Sequence, residues 1–156
     1  MAIRCRPARP EEAEPLGALC ARSKAHWGYD AEFMRSSLAA LSIDAVAIAE
    51  GRVFVVVDAS DSPLGVAAVA LREDGVELTH LFVEPGRLAQ GIGAALFAAA
   101  LRWTLDRART ELLIASDPNA AGFYEKMGAV NAGMVPSDAI SGRMLPLLRC
   151  SAPNRS

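Results

Sequence analysis

The residues most able to do chemistry lie where an extended run meets a helical one. In Leu81-Phe82-Val83-Glu84-Pro85-Gly86-Arg87-Leu88-Ala89-Gln90-Gly91-Ile92-Gly93, a strand ends, a loop of small residues follows and a helix opens. The first turn of a helix carries N–H groups without intrahelical acceptors and the positive end of the dipole, which suits an anion. Glycine at 91 and 93 lets backbone approach a phosphate closely; the same glycines are also compatible with simple packing of a helix against a sheet. A dinucleotide fingerprint would place glycine where Leu96 stands, and a P-loop would need Gly-Lys-Ser/Thr, whereas Lys24 and Lys126, the only lysines, are both distant. Cys5, Cys20 and Cys150 are odd in number and widely spaced, which fits neither a disulfide framework nor a metal site. No metal is expected.

The elements that must position this loop can be read from periodicity. Residues 3–6 form a short opening strand. Pro10 beside Glu11, Glu12 and Glu14 marks a helix start, with Leu16, Leu19 and Cys20 on its apolar face. Asp30 caps a second helix carrying Phe33, Met34, Leu38 and Leu41. Residues 43–50 fit strand or helix equally. Residues 53–57, 64–71 and 76–83 read as three antiparallel strands joined by turns at 58–63 and 73–75. From Gly91 the period turns helical, with Ile92, Leu96, Ala99 and Trp103 on one side. Residues 112–115 are a buried strand. Asp117 or Asn119 starts a short helix that Gly128 ends, and residues 130–135 and 144–148 supply two final strands. The passage from 76 to 115 is a βαβ unit, so its strands run parallel with a ligand position beyond the end of the first.

The expected fold is therefore α/β (α+β): a mixed, mostly antiparallel central sheet with helices on its faces. One domain over residues 1–150 and a flexible tail at 151–156 are expected, since 156 residues match one domain. A composition of 52% hydrophobic and 22% charged residues excludes global disorder. Net charge of −2 argues against a nucleic-acid partner, no apolar run is long enough for a membrane span, and residues 1–6 lack the apolar stretch of a secretory signal. Cytoplasm is the expected compartment.

Two motifs together carry a family resemblance. Val83-x-Pro85 followed by Gln90-Gly91-Ile92-Gly93 resembles the pyrophosphate loop of the GNAT superfamily, the acetyl-CoA-dependent N-acetyltransferases. Asn119-Ala120-Ala121-Gly122-Phe123-Tyr124-Glu125-Lys126-Met127-Gly128 is similar to the family's later motif. The resemblance covers residues 53–149. Leu88 and Ala89 depart from it, standing where the family prefers Arg or Gln and Gly; a left-handed backbone at Ala89 would cost roughly 1–2 kcal/mol.

The resemblance implies helices on both faces of the sheet, a splayed parallel strand pair, and transfer of an acetyl group from acetyl-CoA to a primary amine by direct attack. It implies coenzyme A contacts at Phe82, Val83, Leu88, Ala89, Gln90, Gly91, Ile92, Gly93, Asn119 and Tyr124, with the backbone of Phe82 or Val83 facing the thioester and pantetheine. Tyr124 matches the general-acid position. Glu77 or His80 is the candidate base, and strict alternation along a strand would put those two on opposite faces. Trp27, Tyr29 and Asp30, in the link between the first two helices, are candidates for the acceptor pocket, with Asp30 attracting a cationic amine; residues 137–142, with Asp138, are a second wall. The acceptor is a small-molecule or peptide amine, and a homodimer through the C-terminal strands is expected from family habit. A non-catalytic acyl-CoA sensor or a degenerate interaction module are the alternatives.

Overall fold

A computed structural model describes residues 3–151. Strand β1 (Arg4–Pro7) leads through a 3₁₀ turn (Pro10–Glu12) into α1 (Ala13–Ala25), followed by α2 (Ala31–Leu41) and α3 (Ala45–Ala49). The meander β2 (Val53–Val57), β3 (Pro63–Arg72) and β4 (Gly75–Val83) comes next, then α4 (Ile92–Asp106), β5 (Glu111–Ala115), α5 (Ala121–Lys126), β6 (Val130–Pro136) and β7 (Met144–Ser151). Among the described residues no helix is long and apolar enough to cross a membrane.

The seven strands form one sheet in the order β1-β2-β3-β4-β5-β7-β6. Every neighbouring pair is antiparallel except β4 and β5, which α4 connects as a parallel crossover. Alternation along β2 sorts its side chains between two cores: Val56 faces α4 and α5, while Val53, Val55 and Val57 face α1, α2 and α3. On the first face α4 lays down Ile92, Leu96, Phe97, Ala100 and Trp103, every one buried. On the second, Leu16, Leu19 and Cys20 of α1 are fully buried. The close approach of α4 requires Gly65 on β3. A Cβ there would stand 2.8 Å from Ile92 Cγ2 and 2.9 Å from Leu96 Cδ1.

Several local expectations are corrected. Residues 43–50, open between strand and helix, contain α3, whose N-terminus Asp44 caps by accepting from the Val46 N–H at 2.9 Å. Glu12 belongs less to a helix dipole than to β1: it takes a two-pronged ion pair from Arg6, 2.9 Å at each oxygen, and accepts from the Arg9 N–H. Asn119 does not cap α5; Ala120 holds that position without a side-chain bond. Ser151, assigned to a tail, closes β7 opposite Glu111, and residues 152–156 lie outside the described residues.

Gly65→Ala should destabilise the fold by about 1–3 kcal/mol, because two fully packed side chains must give way to one methyl. Urea unfolding checks this; an unchanged midpoint would mean that α4 does not press on β3 as described.

Candidate active site

The two parallel strands touch only briefly. Val76 pairs with Leu112 and Glu77 with Leu113, after which pairing stops, although β4 runs on to Val83 and β5 to Ala115. Beyond Glu77 the backbone of β4 that faced its neighbour borders a groove of about 500 Å³ instead. The groove reaches from the loop before α4, between the strands, to a wall made by the ends of α1 and α2 and the β6–β7 hairpin.

At one end of the groove sits the glycine-spaced loop. Glu84 takes the Arg87 N–H at 2.8 Å and closes a 3₁₀ turn (Pro85–Arg87). Ala89 then adopts φ +64° and Gly91 φ +80°. The N–H groups of residues 88–94 have no acceptor among the described residues, so the loop presents a run of open donors at the positive end of a four-turn helix. The two glycines do different things. Gly91 needs its left-handed backbone and has open space around it; Gly93 makes room for Phe123, whose Cζ would lie 3.1 Å from an added Cβ. Leu88 is exposed along the groove, and the Gln90 side chain is exposed without lining it. Ile92 turns its side chain into the core, so only its backbone is available to a ligand.

Further along, Phe82, Val83 and Asn119 line the groove, as does Tyr124 from α5. Tyr124 is buried against Phe97 and Phe123, and this desolvation, with the charge of Asp117, raises its pKa well above the ordinary phenol value. It holds its proton at neutral pH.

Glu77 and His80 do not lie on opposite faces. The β3–β4 register slips between Ala68 and Val69, which pair with His80 and Leu78, leaving Thr79 as an extra residue. This bulge reverses the alternation, so that Glu77 and His80 share the face toward α1 and α2. They are engaged differently. Glu77 lines the groove and accepts from Arg72 Nε at 2.9 Å. His80 is outside the lining and staples β4 to α2: Nε2–H donates to the Ala40 carbonyl at 2.9 Å, and Nδ1 lies 2.9 Å from the Thr79 hydroxyl. Burial lowers its pKa, which keeps the ring neutral.

The acceptor-side expectations fare unequally. Trp27 is half exposed on the rim and lines the groove. Asp30 does not; its carboxylate caps α2 by accepting from the Phe33 N–H at 2.8 Å. Tyr29 stands behind the wall rather than in it. Its ring stacks on Phe33 with centroids 4.0 Å apart, and its hydroxyl donates to Asp117 Oδ2 at 2.9 Å while receiving Asn119 Nδ2 at 3.1 Å and Arg143 at 3.0 Å.

This exposes a cluster that sequence reasoning did not single out. Asp117, just past β5, accepts from Lys24 and Tyr29 on one oxygen and from the Asn119 N–H, at 2.8 Å, on the other. Arg143 lies 3.7 Å from the same carboxylate. Burial alone would raise the Asp117 pKa, but its hydrogen bonds and the Lys24 charge outweigh that and lower it. Lys24 and Arg143 come from stretches 119 positions apart, so no local signal joins them.

The comparisons agree with this architecture. The family model for the acetyltransferase (GNAT) domain matches residues 16–135. The chain therefore belongs to the GNAT acetyltransferase family, and its general function is that of a GNAT-fold acetyltransferase. Among solved structures, a GCN5-related N-acetyltransferase from Rhodopseudomonas palustris is similar at 22% identity and TM-score 0.77, over 97% of this chain and 96% of that one. The PaiA N-acetyltransferase from Thermoplasma acidophilum, solved with coenzyme A, is similar at 17% identity and TM-score 0.75, over 97% and 99%. YjaB from Escherichia coli in its apo form matches at 27% identity and TM-score 0.70, over 97% and 98%. No curated protein sequence matches significantly.

Two measurements test the site's build. Ala89→Gly removes a Cβ from a left-handed backbone worth roughly 1–2 kcal/mol and adds unfolded-state freedom worth about 0.4–1 kcal/mol. The unfolding free energy from urea titration should therefore rise by about 0.5–1 kcal/mol; a loss would contradict the φ described.

Asp117 has a depressed folded pKa, so its pairing stabilises the protein above the ordinary aspartate value of about 3.9 and is lost as the pH falls through the folded value. Asp117→Asn should cost about 1.5–3 kcal/mol at pH 7 and flatten the acid limb of the melting profile below about pH 4. An acid limb identical to wild type would show that Asp117 gains nothing from its partners.

Proposed function

We propose that the chain transfers an acetyl group from acetyl-CoA to a primary amine by direct attack. The observation that carries this reading is the open parallel pair. A channel of unpaired β4 backbone runs from a loop of free N–H donors to a buried phenol and a carboxylate.

The physical requirements match the residues in order. A diphosphate needs donors and positive potential, which residues 88–94 offer through backbone alone, so Leu88 and Ala89 do not disable the loop. An extended amide-bearing arm needs strand-like partners, and the free edge of β4 at Phe82 and Val83, with Asn119 opposite, would hold it. When bound, acetyl-CoA supplies an activated acyl carbon. The β4 backbone beside the bulge at Thr79 would stabilise charge growing on the thioester oxygen, since fixed N–H dipoles need no reorganisation.

The amine must be neutral to attack. Deprotonating an amine of pKa ~10.4 at pH 7 costs about 4.6 kcal/mol. Between the two candidates Glu77 is favoured as the acceptor of that proton, directly or through water, because it borders the groove, whereas both His80 nitrogens are engaged, Nε2 with the Ala40 carbonyl of α2 and Nδ1 with the neighbouring Thr79 hydroxyl. Tyr124, kept protonated by its surroundings, would donate a hydrogen bond to the leaving thiolate; its raised pKa makes full proton transfer uphill, so that step would be driven by the proton the acetylated amine releases.

Acetyl-CoA at 1,000 times its Kd should stabilise the protein by about 4 kcal/mol in thermal unfolding, and a screen of amines reading released thiol should find turnover. Tyr124→Phe should lower kcat by about tenfold or more while acetyl-CoA affinity stays within about twofold. Glu77→Gln should lower kcat/KM by about 100-fold or more near neutrality, with the deficit shrinking at high pH where the amine deprotonates unaided. A stabilising shift without turnover on any amine would favour a sensor; no shift at all would overturn the reading.

A further inference from the structure

At the wall that faces the groove opposite the loop, two cations converge on the carboxylate of Asp117. Lys24 and Arg143 both pair with Asp117, and their side chains are only 13% and 20% exposed, Asp117 12%. Within this cluster Asp117 matches only one of the two positive charges, and in a partly dry place unmatched charge is costly. The cations are not free to swing away. Both pack against the stacked Tyr29–Phe33 pair, Lys24 at 5.2 and 5.8 Å from the ring centroids and Arg143 at 5.3 and 4.9 Å. The Tyr29 hydroxyl also takes one Arg143 nitrogen. Asp117 already accepts three hydrogen bonds, from Lys24, Tyr29 and the Asn119 N–H, so it has little capacity left for a cationic group.

The donors are not saturated. An ammonium has three N–H groups and a guanidinium five, and both Lys24 and Arg143 line the groove. Two carboxylates border the same groove. Glu77 is on β4, and Asp138, on the hairpin loop that leads to Arg143, makes no hydrogen bond or ion pair with a described residue.

From this we infer that the amine acceptor carries a carboxylate, which Lys24 and Arg143 bind, while its amine lies toward Glu77 and Asp138. The inference rests on the acetyl-transfer reading and narrows it to amino-carboxylates, compounds of the free amino acid kind. A surplus of one charge suits a carboxylate monoanion better than a phosphate dianion. It disfavours polyamines and lysine side chains, which would bring further positive charge to the cationic wall.

The test is a thiol-release assay with acetyl-CoA and three matched pools: free α-, β- and γ-amino acids, their carboxamides, and the corresponding decarboxylated amines. At least one carboxylate pool should turn over about ten times faster than its partners, since hydrogen bonds to charged groups are worth about 1.5–3 kcal/mol. Arg143→Gln and Lys24→Met should raise KM for that pool about tenfold to a hundredfold, with kcat moving less and Arg143→Lys recovering part of the loss. The same variants are melted with and without acetyl-CoA, so a collapsed fold is told apart from a lost contact; if they collapse, the wild-type pool comparison decides alone. Amides or decarboxylated amines that turn over as fast as the amino acids, or a silent carboxylate pool, overturn the inference while the acetyl-CoA shift still upholds the underlying reading. Loss of that shift as well overturns both.

Discussion

The feature on which the rest depends is a parallel strand pair that pairs at only two positions. Where the other neighbours pair along most of their shared length, β4 and β5 separate after Glu77 and Leu113, and the backbone groups left over need partners. Helix α4 holds the opening in shape, because Ile92 and Leu96 seat on the space that Gly65 leaves. On the other side of the gap β7 pins β5 along its whole length, so β5 cannot swing back to close it. The gap between the two strands is therefore an outcome of core packing.

A second consequence follows from the bulge at Thr79. It gives β4 one residue more than β3 can match, and this brings Glu77 and His80 to one face. The two side chains then divide their work. Glu77 remains at the groove, and His80 ties β4 to the carbonyl at Ala40 near the end of α2, which keeps the α1–α2 wall against the sheet. The charged cluster at Asp117 does the same further out, joining α1, β5 and the β6–β7 hairpin through Lys24, Tyr29 and Arg143. Both ties fix the wall that faces the loop, and both use groups separated widely in sequence.

What the sequence disclosed follows from how local each signal is. The meander, the crossover and the loop before α4 were legible because period, turn residues and glycine spacing are properties of adjacent residues. The left-handed backbone at Ala89 was legible as a cost before it was seen as φ +64°. The face shared by Glu77 and His80 was not, since a bulge depends on how β3 registers with β4. Asp30 was legible both as the cap of α2 and as a recognition group, because a cap and a binding carboxylate have the same side chain; its bond to the Phe33 N–H bears out the cap. Asp117, Lys24 and Arg143 were invisible as a set, because their meeting depends on three elements from opposite ends of the chain.

The measurement closest to the central claim is a titration of ¹⁵N-labelled protein with acetyl-CoA, followed at the backbone amides. The account expects the largest changes at the N–H groups of residues 88–94 and along β4 beyond Glu77, where donors stand without acceptors. Changes confined to the far sheet edge at β1 and β2, or none at all, would contradict it.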